Sequence, residues 1–389
     1  MSAIFDEMID RRRTNCRKWD AACQLFGNDE VLPMWIADMD FAVPAAVARA
    51  VQERAAHEIY GYPHKEERFY RAIQNWLQRR HGWQVQPEWI LGNPGVVSAI
   101  STAILAFTEP GDKIVIQPPV YPPFFSCVTK NNRQLVENPL RLVNGQYQMD
   151  FEDLTGKLDG VKLLLLCNPH NPVGRSWTRE ELLRLGQLCV ERGIVIVSDE
   201  IHADLVLPGA IHTPMASLSP EVARLTVTCM AASKTFNVAG LYTSIALIAD
   251  QKLRQRFSGV LEALDLNGGN LFGITALIAA FEEGEAWLDE LLTYLDGNVR
   301  YMVDFFARQV EGITLSRPEA TYLAWLDCRE LQLSQARLKK FFIQEAKVGL
   351  NDGMTFGRAG EGFMRLNYGC PRTILEEGLG RIAQAVRLL

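Results

Sequence analysis

The chain has 389 residues, 48% hydrophobic and 22% charged, with a formal net charge of −6. That is ordinary globular composition, long enough for one large or two moderate domains. Arg11, Arg12 and Arg13 form the single basic cluster and sit beside Asp10, and no apolar run nears the ~20 residues that cross a bilayer; nucleic-acid and membrane partners are therefore excluded from the expectation.

The opening MSAIFDEMIDRRR lacks the apolar core of a signal peptide. None of the eight cysteines forms a CxxC pair, and Cys167, Cys189 and Cys229 lie in apolar runs. They read as reduced thiols of a cytoplasmic protein rather than as a disulfide framework. Residues 1–50 are irregular, with WIADMDF at 35–41 and then a helix opened by Pro44.

From there two periodicities alternate. Short β-rich runs stand at KIVIQP (113–118), KLLLLCNP (162–169), GIVIVSDE (193–200), RLTVTCMAAS (224–233) and TSIALIAD (243–250). Their near-continuous apolar character predicts strands covered on both faces. Amphipathic helices are expected between them, over 98–107, 178–192 and 251–263, with Thr178 and Glu181 spaced as a capping box. Such alternation predicts a mainly parallel sheet with helices on both sides.

Beyond 285 the pattern predicts a long helix to 310, a strand in TYLAWLDC (321–328), a helix near 334–346 and a strand in GFMRLNYG (362–369). A smaller α/β domain built from both termini, residues 1–50 and 285–389, is expected around a larger one at 51–284. The long helix carries Trp287, Leu291, Leu295 and Met302 at helical spacing, which predicts core or dimer packing.

Ligands of open α/β sheets sit beyond the carboxyl ends of the strands. There the sequence places Tyr121, then Asn171, then Asp199 with His202, then Lys234. A lysine amine traps carbonyls once burial lowers its pKa, and its best-known partner is pyridoxal 5′-phosphate. That cofactor needs a carboxylate at its pyridine nitrogen, donors at O3′, a stacking ring and amides or hydroxyls for its phosphate. Asp199, then Asn171 or His202, then Tyr121, and finally GNPGVVSAIS (92–101) with Ser233 suit these demands in turn. Plainer readings stand beside them: His202 as a structural histidine, Tyr121 as a space-filling ring, Arg365 as an ion-pair partner. Asp199, Glu200, His202 and Asp204 also read as a metal cluster, but no second group with ligand spacing supports it, so no metal is expected.

Tyr121 followed by CNPHNPVG (167–174), SDEIH (198–202), ASKTFNVAG (232–240) and RLNYG (365–369) resembles the fold-type-I pyridoxal-phosphate enzymes, the aspartate aminotransferase superfamily. PMWIADMDF (33–41), GYPHKEERFYRAI (61–73), SDEIHADL (198–205), ATYLAWLD (320–327) and GFMRLNYGCPR (362–372) are similar to the cystathionine β-lyase, or cysteine C–S lyase, branch. The resemblance implies a three-layer αβα large domain with a mainly parallel seven-stranded sheet, plus the smaller α/β domain. It also implies a homodimer with active sites at the subunit interface.

Residue by residue, it implies that Lys234 bonds the cofactor aldehyde and Asp199 pairs with the pyridine nitrogen. Asn171 would hold O3′, Tyr121 would stack on the ring, and Gly95 and Val96 would present backbone amides to the phosphate. Tyr62 would reach that phosphate from the other subunit. Arg365 would clamp the α-carboxylate of an amino-acid substrate, with the backbone at Ala37 closing on the same group. Where many relatives carry tyrosine three residues after the aspartate, this chain has His202; where they carry arginine eight after the lysine, it has Tyr242. Both departures resemble the lyase branch. The implied activity is α,β-elimination of L-cystathionine or related L-cysteine S-conjugates to a thiol, pyruvate and ammonia. Amino transfer by the same residues is the first rival, and a regulatory binding protein on the same fold is the second.

Overall fold

The computed structural model describes residues 3–389; Met1 and Ser2 of the segment expected at 1–50 lie outside the described residues. Seven strands make the large sheet: β1 (Ile90–Asn93), β2 (Lys113–Ile116), β3 (Gln134–Glu137), β4 (Val161–Cys167), β5 (Val195–Asp199), β6 (Thr226–Met230) and β7 (Ser244–Leu247). Their order is β1-β7-β6-β5-β4-β2-β3. All neighbours pair parallel except β7, which runs antiparallel to both β1 and β6. The chain leaves β2 outward to β3 and returns inward to β4, so the crevice between the β2 and β4 ends is the topological switch point.

The continuous apolar runs are explained by two covered faces. Along β4 and β5, Leu163, Leu165 and Val197 join one core cluster with Ile100 and Phe257, while Leu164, Leu166 and Ile196 join another with Leu182 and Leu185. Those partners come from α1 (Val96–Phe107) and α3 (Gln251–Ala263) on one side and from α2 (Arg179–Arg192) on the other. Each fully buried leucine contributes about 2 kcal/mol of burial. The capping box forms: the Glu181 N–H donates to Thr178 Oγ1 at 3.2 Å, and the Thr178 N–H donates to the Glu181 carboxylate at 2.9 Å.

The second sheet has four strands, including β8 (Leu323–Asp327), β9 (Asn351–Asp352) and β10 (Phe363–Asn367). A two-residue parallel pair, Leu32–Pro33 with Val348–Gly349, joins the N-terminal segment to this C-terminal part. The helix expected near 334–346 divides into Gln335–Lys340 and a π-helical turn, Phe341–Glu345, where adjacent Phe341 and Phe342 are both buried. Neighbours on an α-helix point about 100° apart, so burying both favours a local distortion. The long helix runs Glu285–Gln309, with Leu291, Leu295 and Met302 in the core and Trp287 packed against it.

WIADMDF is held by charge. Asp40 is buried and accepts from Lys18 Nζ at 2.5 Å, Arg11 at 2.6 Å and the Trp19 indole at 3.0 Å, while Arg11 also forks onto Asp38. Burial opposes the charge on Asp40, but Lys18, Trp19 and Arg11 outweigh it and lower its pKa. Lys18→Met leaves part of that charge unpaired in a buried site, and the expected loss is about 3 kcal/mol. A fall in the urea unfolding midpoint checks it; an unchanged midpoint would mean that Arg11 alone suffices.

Candidate active site

A cavity of about 410 Å³ opens at the carboxyl ends of the strands, where the switch point lies. Tyr121, Asn171, Asp199, His202, Ser233 and Lys234 line it, and so do Ala37, Gly95 and Val96. Of the residues singled out in the sequence, Arg365 and Tyr62 are not in its wall. Arg365 reaches it through Asn171, whereas Tyr62 is fully exposed, at 104%, and does not line the cavity.

Lys234 lies on the short helix Ala232–Thr235 that follows β6 and donates from Nζ to the Ala37 carbonyl at 2.6 Å. Burial lowers its pKa to about 8, helped by Arg365 and opposed by the Asp38 and Asp199 carboxylates. A sizeable fraction of the amine is thus neutral near that pH and able to attack a carbonyl or accept a proton.

Asp199 ends β5 and is buried, and its carboxylate accepts from the Ile201 N–H at 3.2 Å. Burial raises its pKa to about 7, although the Ile201 N–H and Lys234 pull it down. A buried acid with one neutral hydrogen-bond donor and no ion-pair partner among the described residues is suited to a cationic ring nitrogen. His202 is buried with Nδ1 lacking a partner among the described residues. Burial first, then Lys234 and Arg365, lower its pKa to about 3, so the imidazole is neutral.

Arg365 lies on β10 and is buried. It donates to Asn171 Oδ1 at 3.1 Å, the Trp35 carbonyl at 2.8 Å and Asn351 Oδ1 at 2.6 Å, and its guanidinium sits 5.0 Å from the Phe356 ring. These three oxygen acceptors are uncharged. Burial lowers its pKa to about 10, which leaves it cationic at neutral pH. A buried guanidinium whose hydrogen-bond acceptors among the described residues are all neutral is suited to receive an anion.

Also in the cavity wall, α1 begins at Val96 after Gly95, which supplies no side-chain cap. A Cβ on Gly95 would meet only the Ser98 hydroxyl, at 3.8 Å, so the space beside it is cleft rather than packed protein. The unpaired N–H groups of a helix start favour an anion there. Tyr242 lines the same region in a left-handed conformation, φ 42°, with 68% of its surface exposed. These residues fit pyridoxal 5′-phosphate at each of its polar ends: an acid for the ring nitrogen, a helix start for the phosphate and a partly neutral lysine for the aldehyde.

The acidic motif does not assemble as a metal cluster. Glu200 accepts from His212, Asp204 accepts from His81, Trp76 and Thr235, and His202 faces the cavity. Sequence reasoning missed Tyr322, whose hydroxyl donates to the same Ala37 carbonyl as Lys234, at 2.9 Å. It also missed Asn351, the partner of Arg365. Both stand on or beside strands of the four-stranded sheet, where no local pattern marks them.

A family model described as "Aminotransferase class I and II" matches residues 29–382. The chain is 49% identical to a protein named cystathionine beta-lyase PatB from Bacillus subtilis (strain 168), over 98% of this chain and 99% of that one. Among solved structures, it is similar to a PLP-bound putative aminotransferase from Clostridium difficile 630, with TM-score 0.97, 42% identity and coverage of 98% and 99%. It is also similar to a PLP-bound C–S lyase from Staphylococcus hominis, with TM-score 0.91, 35% identity and coverage of 98% and 97%.

Proposed function

The chain belongs to the class I and II aminotransferase family, and on that footing we propose that it is a pyridoxal-phosphate-dependent carbon–sulfur β-lyase. Its substrates are L-cystathionine or related L-cysteine S-conjugates, released as a thiol, pyruvate and ammonia. The observation that carries the choice is the end-to-end likeness to the Bacillus subtilis protein of that name. The cavity alone supports amino transfer equally well, because both reactions begin by removing the same Cα proton.

When bound, pyridoxal 5′-phosphate supplies an electron sink for the pair left at Cα. In this reading Lys234 would hold the cofactor by its amine, and its Nζ would be the group that accepts the Cα proton. Asp199 would pair with the ring nitrogen and favour its protonated form, Asn171 and His202 would hold O3′, and Tyr121 would lie against the ring. Gly95, Val96 and Ser233 would hold the phosphate. Arg365 fixes the substrate carboxylate, with the backbone at Ala37 beside it. Tyr62 acts from a second subunit of a homodimer, a reading supported by the exposed apolar stretch Ile59, Tyr60 and Tyr62. The division into 1–50, 51–284 and 285–389 belongs to the same proposal, supported by the pairing of Leu32–Pro33 with Val348–Gly349. So does a cytoplasmic location, supported by eight free cysteines, six of them buried. No helix among the described residues is long and apolar enough to cross a membrane.

The deciding experiment is incubation with L-cystathionine, measuring pyruvate and thiol together, with and without a 2-oxo acid. Equal release of both without the oxo acid is expected. Amino transfer that requires the oxo acid, with no thiol, would replace the lyase by its rival. Cofactor capture has its own signature: because the Lys234 amine titrates at about 8, the rate of cofactor uptake by the cofactor-free protein should rise about tenfold per pH unit below that value and level off above it. A flat profile would remove Lys234 as the capturing group.

A further inference from the structure

The residue after Lys234 and the residue after Asp199 both lead away from the cavity into one buried polar cluster. Thr235 Oγ1 donates to Asp204 Oδ2 at 2.9 Å, and Asp204 Oδ1 also faces the Trp76 indole N–H at 3.1 Å and His81 Nε2 at 2.9 Å. Glu200 accepts from the Ser198 hydroxyl at 2.7 Å, the Met215 N–H at 2.9 Å and His212 Nε2 at 2.9 Å. The two imidazoles meet edge to face, with centroids 5.3 Å apart. Asp204, Glu200, His212 and Thr235 are all buried.

Each carboxylate therefore has three donors, the number that lets a charge persist away from water. For Asp204, burial opposes the charge, but the donors from His81, Thr235 and Trp76 outweigh it and lower the pKa. Those donors come from widely separated parts of the chain: Trp76 and His81 from the helix Glu67–His81, and Thr235 from the turn that carries Lys234. Trp76 is itself stacked on Phe281, centroids 5.0 Å apart and planes within 6°, so the anchor is rigid. A four-residue helix such as Ala232–Thr235 has little internal hydrogen bonding of its own to fix its orientation.

We propose that Asp204, acting through Thr235, is a positioning residue for Lys234. By gripping the last residue of the turn, it sets where Nζ stands relative to the Ala37 carbonyl and the cavity. The inference rests on the reading of Lys234 as the group that bonds the cofactor and moves the Cα proton. It adds a function to a carboxylate that otherwise reads as a satisfied core group.

The variants that test it are Thr235→Val, which keeps shape and removes the donor, and Thr235→Ser, which restores the donor. Both are compared as full-length holoenzyme by kcat, KM and the pH midpoint of the absorption band of lysine-bound cofactor. Thr235→Val is expected to lower kcat about tenfold with KM within about twofold, since a displaced reacting group is penalised in the chemical step rather than in binding. Its spectral midpoint shifts, and Thr235→Ser returns both quantities to the parent values. Should Thr235→Val fail to fold, Thr235→Ala takes its place with the same expectation. A valine variant with parent kcat and parent midpoint, whatever its unfolding temperature, overturns the proposal and assigns the cluster to stability alone. The spectral midpoint needs only the cofactor and Lys234, so it still decides the matter if cystathionine proves not to be cleaved, an outcome that would sink the lyase reading instead.

Discussion

Lys234→Ala is expected to abolish turnover and the absorption band of lysine-bound cofactor while leaving the fold intact. Two losses combine. Removing a positioned proton acceptor alone costs about 10²–10⁴-fold, and in the proposed function the same amine is also the covalent attachment point for the cofactor. The fold should survive because truncation enlarges an existing cavity rather than opening a new one. Nor does it orphan the acceptor, since the Ala37 carbonyl keeps the Tyr322 hydroxyl at 2.9 Å. The change in unfolding free energy should therefore stay within about 1 kcal/mol. Pyruvate release, the visible spectrum and the unfolding midpoint are measured on one preparation. Pyruvate release at near-parent rate would end the assignment of Lys234.

Arg365→Lys is expected to lower kcat/KM about 100-fold, chiefly through KM. The substitution keeps the charge, so a purely electrostatic role predicts a small effect. The geometry predicts a large one. The guanidinium spans Asn171, the Trp35 carbonyl and Asn351, three separate acceptors, and its buried Nε has no partner among the described residues. A single ammonium leaves some of those buried acceptors unpaired and offers no fork to a carboxylate. An S-conjugate of cysteamine, which lacks the α-carboxylate, serves as the control. The parent and variant should bind it alike, whereas the amino-acid substrate separates them. An unchanged KM for the amino acid would place the carboxylate site elsewhere in the cavity.

The strand runs were legible because burial on both faces writes itself into consecutive residues. Leu163 to Leu166 alternate between two core clusters, so no polar face interrupts them. Helix limits were legible where a cap announces them, as at Thr178 and Glu181. TSIALIAD was correctly read as a strand, yet its antiparallel direction was not legible, because an apolar run carries no polarity. The π-helical turn at Phe341–Glu345 also escaped notice, since two adjacent buried phenylalanines fit a helical pattern until the core on both sides is known.

The same division holds for the site. By itself the sequence determined the strand ends and what stands on them: Tyr121, Asn171, Asp199 and Lys234 each follow a local signal within a few residues of an apolar run. Tertiary structure alone decided how they are used. Lys234 meets a carbonyl 197 positions away, at Ala37, which Tyr322 shares; Arg365 meets Trp35 across 330 positions and finds no carboxylate among the described residues; Asp204 accepts from Thr235, 31 positions on. The physical reason is range. Periodicity and capping are set by neighbours within one turn or one pleat, whereas desolvation, partner choice and pKa depend on which distant segments the fold brings within about 4 Å.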